Sequence, residues 1–125
     1  MHFRILILCC LLAFGCSKNS GGNDDREAPV VTVTEPADNS TVPGGTQIFI
    51  KANITDNNYL KEVHLEIINL NTSAEALHLH IHPGGAAYVV NQPFTVAAGI
   101  SYEIRVIAED PAGQLTSTKV RISGT

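Results

Sequence analysis

From residue 29 onward, apolar and polar side chains alternate along short stretches of the chain. Alternation with a period of two places successive side chains on opposite faces of a β-strand. Glycine, proline, asparagine and aspartate occupy the segments between these stretches, as turns require. The pattern predicts seven strands, at residues 31–33, 47–54, 60–70, 76–82, 86–94, 102–108 and 115–122.

No stretch of helical length carries an apolar stripe with a period of 3.6 residues. Seven short strands with turns between them are typical of an immunoglobulin-like sandwich, in which two antiparallel sheets pack face to face. The fold class is therefore predicted to be all-β, with a single immunoglobulin-like β-sandwich of about seven antiparallel strands. The sequence has no tryptophan, so the cysteine and tryptophan pattern of antibody domains is absent.

The first 15 residues have a different character. Residues 1–4 carry one basic side chain, and residues 5–14 form an apolar run. This run is shorter than the roughly 20 residues that a membrane-spanning helix needs, but it suits the apolar region of a secretion signal. The run ends in Gly15 and Cys16, which resembles a lipobox, although Ala13 stands where leucine is usual. We expect a lipoprotein signal at residues 1–15 and acylation of Cys16.

The cysteines and the next segment agree with that interpretation. Cys9 and Cys10 lie in the apolar run and would be removed with it, which leaves only Cys16 and no disulfide. Residues 17–27 are almost entirely polar and predict a flexible tether. The expected organisation is a lipidated cysteine and tether at residues 16–28 and one domain at residues 29–125. The expected location is the cell envelope, with the domain anchored to the outer membrane and either periplasmic or surface-exposed.

Charge and motifs exclude several functions. The formal net charge of the 125 residues is −4, and removal of Arg4 with the signal makes the remainder more acidic. An acidic chain without a basic patch is not expected to bind nucleic acid or to dock on anionic lipid by charge. The sequence contains no Gly-x-Ser-x-Gly motif and no phosphate-binding loop, so we do not expect an enzyme.

Three segments carry a family resemblance. Residues 96–102 (VAAGISY) and the alternating strand after them resemble the entry to strand F of fibronectin type III domains. Residues 110–113 (DPAG) and 36–42 (PADNSTV) resemble a hairpin and the opening segment of bacterial immunoglobulin-like modules. The whole layout resembles small immunoglobulin-like lipoproteins of Gram-negative gut bacteria. The resemblance implies that Tyr102 forms a tyrosine corner, in which its ring packs in the core and its hydroxyl bonds to upstream backbone.

The candidate functional site is a row of alternating histidines, which we call the histidine comb. Residues 77–82 read LHLHIH, so the apolar side chains would face the core and three imidazoles would share the outer face. A hairpin with Leu70 opposite Ala76 would bring His64 and Glu66 to the same face. It would place His64 opposite His82 and Glu66 opposite His80. The predicted ligands of a transition-metal ion, Zn or Cu, are His64, His80 and His82, with His78 and Glu66 as further candidates.

Other interpretations stay open. The comb could be an ordinary solvated face or a pH-sensitive contact surface, with no cofactor bound. Asp56 and Asp110 lie in turns that could meet at one end of the sandwich and hold calcium. The first functional hypothesis is a membrane-anchored interaction module with an unknown protein or glycan partner. The alternative is an extracytoplasmic metal-binding protein that uses the histidine face.

Overall fold

The structure, a computed structural model, describes residues 25–125. This part of the chain folds into β-strands joined by turns, and it contains no helix. No segment of residues 25–125 is therefore a long apolar helix able to cross a membrane. The strands are β1 (Val30–Glu35), β2 (Ser40–Val42), β3 (Gln47–Thr55), β4 (Glu62–Asn69), β5 (Glu75–Ile81), β6 (Ala87–Thr95), β7 (Ser101–Glu109) and β8 (Leu115–Gly124).

The strands form two sheets. One sheet has three strands in the order β1-β3-β6, and the other has five in the order β2-β8-β7-β4-β5. Neighbouring strands are antiparallel except for β2, which runs parallel to β8. The two sheets pack against each other through a shared apolar core. This arrangement confirms the predicted all-β sandwich.

The core consists of alternate side chains from both sheets. Each fully buried aliphatic side chain contributes roughly 1.5–3 kcal/mol relative to an exposed one. Since the described residues contain no disulfide, this burial is the main source of stability for the domain. The largest core side chains include Ile50 and Ile54 of β3, Leu65 and Ile67 of β4, Ile104 of β7 and Ile122 of β8.

The strand count differs from the prediction by one. The additional strand, β2, pairs with the last residues of β8. It is only three residues long, and Val42 is its only buried side chain, so alternation could not reveal it. The other seven strands agree with their predicted positions within two residues at every end.

The predictions for the N-terminus lie outside the described residues. The signal at residues 1–15, the lipidation of Cys16 and most of the tether belong to residues 1–24. These assignments therefore stay predictions.

Candidate functional site

The outer face of the five-stranded sheet carries the predicted histidine comb. Alternate side chains of β4 and β5 pack into the core. The intervening side chains therefore point away from the sandwich. They are Glu62, His64 and Glu66 on β4 and His78 and His80 on β5.

The pairing of these side chains differs from the prediction. The sequence analysis placed His64 opposite His82 and Glu66 opposite His80, and this register is wrong. In the structure His64 lies opposite His80, and Glu66 lies opposite His78. A shift of two residues leaves the same side chains on the outer face, because the strand period is two. It changes only which of them meet.

The turn between β4 and β5 explains the shift. Strand β4 ends at Asn69, and Leu70 belongs to the turn. The Asn69 side-chain oxygen accepts hydrogen bonds from the backbone N–H groups of Asn71 and Thr72, at 2.9 and 3.3 Å. The Asn69 N–H donates to the carbonyl of Ala74 at 2.8 Å. This local closure ends the strand early, and a bulge next to it completes the change of register.

Three side chains converge at one point of this face. The Glu62 carboxylate oxygen Oε2 lies 3.2 Å from His64 Nε2 and 3.1 Å from His80 Nε2. The two imidazole rings stack with their centroids 4.3 Å apart. One ligand atom from each residue lies within 4.8 Å of the other two. We call Glu62, His64 and His80 the Glu62 cluster.

Glu62 was not among the ligands predicted from the sequence, where Glu66 was the candidate carboxylate. Glu66 lies 3.8 Å from a guanidinium nitrogen of Arg105 on β7, away from His80. The signal for Glu62 was present in the sequence, because it precedes His64 by two positions and so shares its face. Only the correct register shows that the upstream carboxylate is the one that meets His80.

A second layer of contacts holds His64. Its Nδ1 atom lies 3.1 Å from His78 Nε2, and His78 Nδ1 lies 3.1 Å from a carboxylate oxygen of Glu75. A carboxylate only accepts hydrogen bonds, so His78 Nδ1 donates to Glu75. Glu66, Glu75 and His78 also have ligand atoms within 4.8 Å of one another. His78 therefore links the Glu62 cluster to a neighbouring group of carboxylates.

His82 lies outside the Glu62 cluster. It follows the last residue of β5, and its Nδ1 atom lies 3.3 Å from the backbone carbonyl of Lys61. Its ring centroid is 4.7 Å from that of His80. Among the described residues, His82 belongs to no group of three potential ligands within 4.8 Å of one another.

The surroundings favour an ionised Glu62. The hydrogen bond with His64, together with positive charge at His80 and Lys61, holds the pKa of Glu62 below its ordinary value. Lys61 itself pairs more closely with Glu109, at 2.7 Å, than with Glu62, at 3.8 Å. The hydrogen bond to Glu109 raises the pKa of Lys61. Glu62 Oε2 is therefore left to the two imidazoles.

The other half of the same face carries a network of arginine and glutamate. Glu103 of β7 accepts hydrogen bonds from Arg105 Nε at 2.7 Å and from Arg121 Nε and Nη2 at 3.1 and 3.0 Å. Lys119 lies 3.8 Å away. The hydrogen bond from Arg105, followed by those from Arg121, holds the pKa of Glu103 below its ordinary value. This half of the face is internally paired.

An acidic group lies at one end of the sandwich. Asp56 and Asp110 meet there, as the sequence analysis considered, and they are joined by Asp25. Asp110 is fully buried, and its two carboxylate oxygens accept hydrogen bonds from the backbone and side-chain nitrogens of Gln114, both at 2.8 Å. Gln114 Nε2 also donates to the backbone carbonyl of Asp25. The group therefore fixes the start of the domain to the β7–β8 turn, and calcium binding there stays a prediction.

Tyr102 lies in the core at the start of β7. The residue is 5% exposed, and its ring packs edge-on against Phe94 at a centroid distance of 5.0 Å. Its hydroxyl oxygen accepts a hydrogen bond from the N–H of Ala97, five residues upstream, at 3.4 Å. The side chain thus connects the loop after β6 to the core.

The outer face of the three-stranded sheet exposes apolar side chains. Val89 of β6 is 63% exposed, Val30 of β1 is 60% exposed and Phe49 of β3 is 45% exposed. Phe49 lies opposite Pro93, so an aromatic ring and a proline are adjacent at one end of the face. Strand β3 also contributes one charged side chain, Lys51, to this face.

Comparison with known proteins agrees with this architecture. Residues 29–75 match the family model of the bacterial Ig domain. The fold is similar to that of fibronectin(III)-like modules of CbhA from Clostridium thermocellum, with 18% sequence identity and a TM-score of 0.50, over 76% of this chain and 94% of the other. No curated protein matches significantly. These findings confirm the predicted resemblance to bacterial immunoglobulin-like and fibronectin type III modules at the level of the fold.

Proposed function

We propose that this chain is a lipid-anchored protein of the bacterial cell envelope whose immunoglobulin-like domain binds a protein partner. Domains of this kind serve generally as binding modules. The observation that carries the proposal is the exposed apolar outer face of the three-stranded sheet, which includes Val30, Phe49 and Val89. Contiguous exposed apolar surface marks interaction sites, and on this face Phe49 lies opposite Pro93.

The composition of this face favours a protein over a glycan. A sugar-binding face usually offers several exposed aromatic side chains on which sugar rings stack. On β3 and β6 the large exposed aromatic side chain of this face is Phe49. The other large apolar side chains exposed on this face, Val30 and Val89, are aliphatic, which suits burial against a protein surface. Pro93 lies at this face on β6, which is an edge strand of nine residues.

The proposed anchor rests on the sequence before the domain. Cys16 follows an apolar run and a small residue, as in lipoprotein signals, and it is the only cysteine left after cleavage. Residues 17–27 are polar and would hold the domain close to the membrane on a short tether. We propose no catalytic role for this domain.

Site-specific photo-crosslinking in intact cells tests the binding surface. A photoreactive phenylalanine analogue replaces Val89 on the proposed face, and in a second strain it replaces Leu115. Leu115 is a matched control because it is 62% exposed and belongs to the other sheet. We expect a protease-sensitive adduct of defined mass from position 89, and none of that mass from position 115.

A second substitution ties the adduct to the apolar face. Phe49→Glu places a charge on this face and should abolish the adduct from position 89, whereas Leu115→Glu should leave it unchanged. A protease-resistant adduct would mean that a glycan occupies the face. Equal adducts from positions 89 and 115, or none from either, would contradict the proposed binding surface.

A further inference from the structure

We propose that Glu62, His64 and His80 bind a divalent transition-metal ion, with Zn²⁺ as the ion of choice. This site goes beyond the proposed binding function and does not depend on it. It differs from the sequence prediction in that Glu62 replaces Glu66 and His82 is excluded. The proposal rests on the distances within the Glu62 cluster, on the hydrogen-bond roles of its imidazoles and on the contacts that hold His64.

The distances suit a tetrahedral ion. Zn²⁺ binds imidazole nitrogen and carboxylate oxygen at about 2.0–2.2 Å, which separates two ligand atoms of a tetrahedron by roughly 3.4 Å. Glu62 Oε2 lies 3.2 Å from His64 Nε2 and 3.1 Å from His80 Nε2. The ligand nitrogens of His64 and His80 lie within 4.8 Å of each other, so a closing movement of the two rings would bring all three atoms to bonding distance of one ion.

The hydrogen-bond roles of the two imidazoles leave His64 Nε2 available to a metal ion. His78 Nδ1 donates to Glu75, so the Nε2 atom of a neutral His78 accepts from His64 Nδ1. Without an ion, a proton on Nε2 makes the hydrogen bond between His64 and Glu62 Oε2, at 3.2 Å. A divalent cation would take the place of that proton and bond to both atoms, since a metal-bound imidazole coordinates through an unprotonated nitrogen.

The contacts around His64 are those that orient a metal ligand. Histidines that bind metal nearly always use their second ring nitrogen to hydrogen-bond a neighbouring group, which fixes the ring. His78 is that neighbour, and Glu75 fixes His78 in turn. Glu62 and His64 lie two positions apart on β4, and His80 lies directly opposite on β5, so regular backbone positions all three.

The donor set determines the class of ion. Two imidazoles and one carboxylate suit Zn²⁺ or Cu²⁺, whereas Ca²⁺ and Mg²⁺ require oxygen ligands. Three protein ligands leave one position of a tetrahedral ion open. His80 is about half exposed, so that position would face solvent. Water, or a side chain of a bound partner, would complete the coordination.

Isothermal titration of ZnCl₂ into the full chain, purified in detergent without a histidine tag, tests the proposal. We expect one zinc site with a dissociation constant in the micromolar range or tighter. Glu62→Gln and His80→Ala should each weaken binding by at least about tenfold, because each removes a ligand. Glu66→Gln is the matched control, since it makes the same change on the same face of the same strand, and it should alter the affinity less than twofold.

Thermal unfolding separates a loss of binding from a loss of folding. Without zinc, the Glu62→Gln and Glu66→Gln variants should melt at the same temperature as the wild type within a few degrees. Both side chains lie on the outer face of β4 and outside the core. Zinc should then raise the melting temperature of the wild type and of Glu66→Gln, but not that of Glu62→Gln. Absence of zinc binding to the wild type, or equal weakening by Glu62→Gln and Glu66→Gln, would overturn the proposal.

Discussion

Glu103 is only 3% exposed, although its position on β7 belongs to the outer face of the five-stranded sheet. The side chains of Arg105 and Arg121 cover its carboxylate and donate hydrogen bonds to both of its oxygens. Charge-assisted hydrogen bonds to a shielded carboxylate are stronger than exposed ion pairs. At the scale of single residues, the free energy of unfolding of the domain should therefore depend on pH through Glu103.

We expect Glu103→Gln to lower the free energy of unfolding at neutral pH by roughly 1–3 kcal/mol. The pKa of Glu103 in the folded protein lies below its usual value of 4.5, so its stabilising effect is present above that pH. The effect is lost as the pH falls through the lowered pKa. Urea unfolding at pH 7 and at a series of values below 4.5 should show the difference between wild type and variant shrinking as the solution becomes more acidic.

Glu35→Gln provides the control for this series. Glu35 pairs with Lys51 at 3.1 Å, but its side chain is 55% exposed, so the pair should contribute little. Its substitution should change the free energy of unfolding by less than about 1 kcal/mol at neutral pH. A difference between Glu103→Gln and wild type that stays constant down to the lowest pH would contradict the assigned role of Glu103.

At the scale of strands, the sequence determines faces better than registers. Alternation correctly placed His64, His78 and His80 on one outer face, because the period of two is visible within each strand by itself. The register depends on how the turn closes, and here the Asn69 side chain ends β4 before Leu70. That detail decides which side chains meet across the hairpin. The sequence could therefore predict the histidine face but not the Glu62 cluster. Strand β2 was missed for a different reason, since three residues are too few to show alternation.

The register of the β4–β5 hairpin can be measured in solution. We expect a nuclear Overhauser contact between backbone protons of His64 and His80, either between their amides or between their α-protons, because directly opposed residues approach closely. The corresponding contact between His64 and His82 should be absent. A contact between His64 and His82 in place of the expected one would support the register predicted from the sequence. It would mean that His64 and His80 are not opposed, which contradicts the Glu62 cluster.

At the scale of the whole molecule, the sandwich separates two outer faces with different chemistry. The five-stranded sheet presents histidines, carboxylates and paired arginines, whereas the three-stranded sheet presents exposed valines and a phenyl ring. Asp25, at the start of the described residues, is fixed to Gln114 at one end of the sandwich. The proposed tether would join the domain at this end, so neither outer face would carry its attachment point. This arrangement suits the proposed anchored binding module.

Lipid attachment at Cys16 is the most direct test of that account. Cells are grown with an alkyne-tagged fatty acid, and the chain is followed by labelling and by membrane fractionation. Cys10→Ser is the matched control, because it makes the same change inside the segment that would be removed. The account predicts that the wild type and Cys10→Ser are labelled and remain in the membrane fraction, and that Cys16→Ser is unlabelled. An unlabelled wild type, or labelling that persists in Cys16→Ser, would contradict the proposed anchor.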